Sequence, residues 1–141
     1  MKRMLSALLT LAAAAALVPA VHAQCTNATL TGNYAMIWSG FTTKKAPMGN
    51  EVPWAGVGVV TFDGAGNVSA GYTTAINGAI YTAQTGAGTY TVNSDCTGSF
   101  AITSGDAAGT TANLVILGGG VEVFGVVTQP ANTLSFDLKK Q

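Results

Sequence analysis

Residues able to reverse a chain tightly recur about every eight to twelve positions along this sequence, and between them apolar side chains alternate with a period of two. The turn formers are Asp63-Gly64-Ala65-Gly66-Asn67, Asn77-Gly78, Asn93-Ser94-Asp95, Ser104-Gly105-Asp106, Gly118-Gly119-Gly120 and Gln129-Pro130-Ala131-Asn132. Each supplies residues that tolerate positive φ, or a side-chain oxygen that closes the turn on its own backbone. The spacing predicts strands over 30–41, 54–62, 68–76, 79–85, 88–92, 99–103, 111–117, 121–127 and 133–138.

Eight or nine short antiparallel strands joined by hairpins, with no helix to cover an edge, favour an all-β, closed up-and-down barrel. A two-sheet sandwich is the alternative. Alternation groups the inward side chains: Leu134, Phe136 and Leu138 together, Leu114 with Ile116, Phe124 with Val126, and Phe100 with Ile102. The segment 54–62 is apolar on both faces, and Gly56 and Gly58 within it suggest a bend of the kind barrel corners need. Closure predicts that the last strand pairs with the first.

Residues 1–23 read as a secretory leader, with basic Lys2 and Arg3, an apolar run over 5–18, and Val21-His22-Ala23 suited to cleavage before Gln24. That leaves 24–141 as a single domain in a secreted or periplasmic protein. His22 and Arg3 are the chain's only histidine and arginine, so the mature chain has neither. A Ser-His-Asp triad, a His-ligated metal, a histidine base and a bidentate Arg clamp are all excluded. Four lysines against six carboxylates give the mature chain a formal charge of −2, with no basic surface for nucleic acid. No apolar run beyond the leader reaches the roughly 20 residues of a membrane-spanning helix.

Cys25 and Cys96 are the only cysteines, and in an exported chain they are expected to form one disulfide that pins the new N-terminus. The rival reading makes Cys25 a lipidated first residue, but that signal wants a small residue where Gln24 stands. The sequons at Asn27 and Asn67 carry little meaning behind a bacterial-looking leader.

The segments Thr61-Phe62-Asp63-Gly64-Ala65-Gly66-Asn67 and Gly88-Thr89-Tyr90-Thr91-Val92-Asn93-Ser94-Asp95-Cys96-Thr97-Gly98 resemble the paired hairpins of small, uncharacterised secreted bacterial β-barrel proteins. The resemblance covers most of the mature chain. It implies a barrel and an exported location, and transfers no catalytic residue. Gly32-Asn33-Tyr34 is faintly similar to the Gly-x-Trp of lipocalin-like barrels, with Tyr34 in place of the tryptophan. A calycin or an allene-oxide-cyclase-like barrel is the architecture this suggests.

The one long connection, 42–53, carries Lys44, Lys45, Pro47, Asn50, Glu51 and Pro53. It is either a solvated loop or a lid over a barrel mouth flanked by Trp38 and Trp54. Eleven aromatics remain after the leader; most must be core, while Trp38, Trp54 and Tyr72 are the candidates to line a ligand pocket. Glu122 alternates with Phe124 and Val126, so if those face inward it enters the barrel as an acid or a ligand-fixing acceptor. Otherwise it escapes to solvent at the rim beside Gly120. Asp63 to Asn67 lacks the alternating ligands and closing Glu of a calcium loop and reads as turn chemistry, as does Asp95.

The leading functional reading is a binding module for a small apolar or amphipathic ligand, with no cofactor and no metal. A second is a histidine-free isomerase or cyclase acting by conformational control, although a composition poor in catalytic groups points away from an enzyme. A third is a structural or surface protein whose barrel is simply filled. An open interior lined by Trp38, Trp54 or Tyr72 distinguishes the first two from the third.

Overall fold

The computed structural model describes residues 24–43 and 50–141; the segment 1–23 read as a leader, and Lys44, Lys45 and Pro47 of the long connection, lie outside them. A 3₁₀ turn at Asn27–Thr29 precedes eight strands: β1 Thr31–Thr42, β2 Val52–Asp63, β3 Asn67–Ile76, β4 Ala79–Val92, β5 Thr97–Gly105, β6 Thr111–Leu117, β7 Glu122–Val127 and β8 Asn132–Lys140. Each strand pairs antiparallel with the next, and β8 returns to β1 through a register running from Tyr34↔Lys140 to Thr42↔Asn132. The barrel is therefore closed and up-and-down, and the sandwich is excluded. Every strand edge is satisfied by a neighbour.

The expected break near Gly86 is absent. The segments 79–85 and 88–92 form one strand, β4, whose irregularities are absorbed by Ala83 at φ 54° and by register shifts opposite Tyr72/Thr74 and at Ala87/Gly88. Eight strands result, not nine. The turns behave as their residues dictate. Asn77 and Gly78 both take positive φ, at 49° and 83°, the pair of values a two-residue hairpin loop with matching twist demands. At 63–67 the Asp63 Oδ1 accepts the backbone N–H groups of Ala65, Gly66 and Asn67 at 2.8, 3.0 and 2.9 Å.

Up-and-down topology sorts the connections by parity. The links after β1, β3, β5 and β7 gather at one end, here called the mouth; those after β2, β4 and β6 gather at the other with the N-terminal segment. That second end is sealed. Leu30 is wholly buried there beneath the 3₁₀ turn, with Tyr34, Phe62 and Tyr90 stacked edge to face above it at centroid distances of 5.3 and 4.9 Å. The buried hydroxyls of the plug are engaged. The Tyr90 hydroxyl donates to the carbonyls of Asn27 and Leu30 at 2.9 Å, Asn27 Oδ1 accepts from Val92 N–H at 2.8 Å, and the Tyr34 hydroxyl donates to the Gly120 carbonyl. The Cys25–Cys96 disulfide, with Cα atoms 5.0 Å apart, fastens the plug to the β4–β5 turn.

Alternation assigns Leu114, Ile116, Ile102, Leu134, Phe136 and Leu138 to the interior as expected. Phe124 and Val126 are a correction. They share a face, but it is the outer one, exposed 45% and 50%, whereas Val123, Gly125 and Val127 point inward. The strand is apolar on both sides, so alternation gives its pairing but not its direction. The exterior explains why. In one row around the barrel, Val115 pairs with Phe124, Phe124 with Asp137, Asp137 with Ile37 and Ile37 with Val57, which places four apolar side chains in solvent at the same level. Among the described residues no helix is long and apolar enough to cross a membrane.

Candidate functional site

The lower half of the barrel is packed; the upper half is not. A cavity of about 230 Å³ opens at the mouth, walled by Trp38, Trp54, Tyr72, Phe100 and Phe136 with aliphatic side chains from Ile76, Ile102, Val127 and Leu134 between them. Its shape follows from the pairing of large rings with inward glycines. A Cβ on Gly125 would fall 2.0 Å from the ring of Phe136, and one on Gly56 would fall 2.1 Å from the ring of Trp38. Where a ring has lain down over a glycine on a neighbouring strand, its own volume no longer reaches the barrel axis, and the space above stays open.

Two of the expected site residues form the inner wall. Trp38 is only 9% exposed, and its ring meets that of Tyr72 edge to face at 5.4 Å, interplanar angle 79°. Trp54 stands nearer the rim; its indole N–H donates to the Thr74 hydroxyl, which in turn donates to the Ala55 carbonyl at 3.0 Å. That relay fixes the Trp54 ring against the wall and uses up its polar tip. By contrast, the Trp38 indole N–H and the Tyr72 hydroxyl have no hydrogen-bond partner among the described residues. Both belong to side chains that line the cavity. Burial, followed by the charge of Asp106, pushes the Tyr72 phenol above its ordinary value, so the ring stays neutral and keeps its proton to donate.

Glu122 does not join them. It lies on the outer face of β7 near the sealed end, with its carboxylate 3.2 Å from Lys139 Nζ, while Asp137 approaches the same ammonium at 3.6 Å. The two carboxylates raise the lysine's pKa, the hydrogen bond that Lys139 donates to Glu122 first and the Glu122 charge second. The reason is the reversed face of β7: once Val123 and Gly125 are inside, Glu122 must be outside.

Sequence reasoning missed Asp106, Tyr81 and Gln84, all on the cavity wall at the mouth. Asp106 had read as a turn former, and it is one: its Oδ2 accepts Thr85 N–H at 2.8 Å. Parity was the available signal, because the β5–β6 link carrying Asp106 falls at the same end as the long connection. Among the described residues no group of three or more Cys, Asp or Glu side chains is placed to hold a metal ion. Asp106 is the only carboxylate on the cavity wall, so the described site has no second acidic group to pair with it in acid–base chemistry.

Comparison of the chain with protein-family models, with curated proteins and with solved structures finds no significant match.

Proposed function

We propose that this protein is an exported binding barrel that holds one small apolar or amphipathic molecule in its upper half, against Trp38, Trp54 and Tyr72. The observation that carries the reading is a barrel sealed at one end and hollow at the other, its hollow lined by aromatic and aliphatic side chains with a few polar tips. That is the usual make-up of a small-molecule site. The open upper half weighs against a barrel that is merely filled. Export is supported by the leader pattern of 1–23 and by the disulfide, which persists in oxidising compartments.

Volume limits the occupant. An apolar cavity of about 150 Å³ takes up benzene. At the same filling, the about 230 Å³ here suits a molecule of roughly nine non-hydrogen atoms, smaller than the drug-sized ligands of larger pockets. One aromatic ring with a short tail, or a chain of similar bulk, fits. A long-chain lipid does not.

Intrinsic tryptophan fluorescence during titration with 2-phenylethanol tests the proposal, because both indoles of the chain line the cavity. A saturable change is expected, weakened in Trp54→Ala by about 1 to 3 kcal/mol of lost aromatic contact. Native mass spectrometry of protein purified from its own host should also find a bound molecule of this size. Absence of both a saturable response and a co-purifying ligand overturns the reading.

A further inference from the structure

We infer that the molecule held in the cavity carries a protonated amine, set at the mouth against the Asp106 carboxylate with its apolar body inside. The inference rests on the binding reading above and names the ligand class for the same site. Asp106 is the one charged side chain on the cavity wall among the described residues. Its Oδ2 is occupied by the N–H of Thr85, whereas its Oδ1 accepts from no described group. Gln84, also on the wall, turns its amide N–H to the Thr82 carbonyl at 3.2 Å, which leaves its carbonyl oxygen a second open acceptor. Asp106 Oδ1 and the Gln84 carbonyl oxygen are thus two open acceptors on the wall, and Asp106 is the one of them that carries a charge.

The described cations cannot neutralise them. Lys139 is held by Glu122 and Asp137, and Lys140 Nζ stands 6.0 Å over the Tyr34 ring; both lie at the sealed end. The charge of Asp106 is felt inside the cavity, since it helps raise the Tyr72 phenol. A ligand ammonium would meet a carboxylate, an amide oxygen and the electron-rich rings of Trp38, Trp54 and Tyr72, all of which favour a cation. An anionic ligand would meet repulsion at the same place.

Three probes of similar bulk separate the possibilities by calorimetric titration at low salt: 2-phenylethylamine, 2-phenylethanol and phenylacetate. The amine should bind about fivefold tighter than the alcohol, as an exposed ion pair permits, and the advantage should shrink as salt is added. In Asp106→Asn the amine should fall to the alcohol's affinity while the alcohol's own affinity stays unchanged. Retained alcohol binding shows that the variant is folded, so a loss confined to the amine is attributable to the charge. Equal binding of amine and alcohol by the parent protein overturns the inference and leaves the apolar binding site standing. A preference for phenylacetate also overturns it. Failure of all three to bind, together with the absence of a co-purifying ligand, overturns the binding reading itself.

Discussion

A Cβ placed on Gly56 would lie 2.1 Å from Cζ2 of Trp38, so the indole occupies the space that any side chain at position 56 would need. The two residues face each other across the β1–β2 ladder, in register. This part of the cavity wall is therefore set by what is missing from the neighbouring strand.

Gly56→Ala is expected to destabilise the protein by about 1 to 3 kcal/mol, since the ring must leave its place or the strands must part. Combining it with Trp38→Leu, whose side chain does not reach so far, should cost less than the two single changes added together. Denaturant melts of the four proteins in the cycle measure this. Additive losses would mean that the indole relocates freely.

The disulfide ties the N-terminal plug to the β4–β5 turn across a sequence separation of 71 residues. Replacing both Cys25 and Cys96 by Ala should cost roughly 2 to 5 kcal/mol, the range for removing a native bridge from a small domain. Titration of denatured, unreduced protein should find no free thiol. Two thiols per chain would contradict the bridge.

Asp63 titrates at about 2 rather than at its ordinary 3.8, owing first to the hydrogen bond from the Asn67 side chain and then to those from the backbone of the 63–67 turn. Because the folded state binds this proton more weakly than the unfolded chain, the carboxylate contributes stability above about pH 4, and the contribution is lost as pH falls through about 2. The stability curve of Asp63→Asn should be flatter than the parent's between those limits. A carboxyl carbon resonance for Asp63 with its midpoint near 4 would contradict the assignment.

The sequence by itself determined what is local. Asp63, Asn77-Gly78 and the Gly118-Gly119-Gly120 run specify their turns because a single residue's φ range or side-chain oxygen is enough to close them, and eight strands follow from where those turns fall. Two cysteines, the only ones in the chain, specify one bridge. Trp38 and Trp54 stood out as wall candidates by their place beside the long connection, whereas Tyr72 had only a polar tip, which Tyr34 and Tyr90 of the sealed end share. Only the closed barrel decided the rest. Val123, Phe124, Val126 and Val127 are apolar on both faces, so the direction of β7 came from its register with Leu138 and Phe136 on β8, and that choice put Glu122 outside. The run 79–92 stayed one strand because pairing on both sides outweighs a glycine's local preference. Whether the interior is filled depends on the sum of volumes meeting at each level of the barrel. Each glycine is visible in the sequence, but the ring that lies over it comes from another strand and is fixed only when the barrel closes.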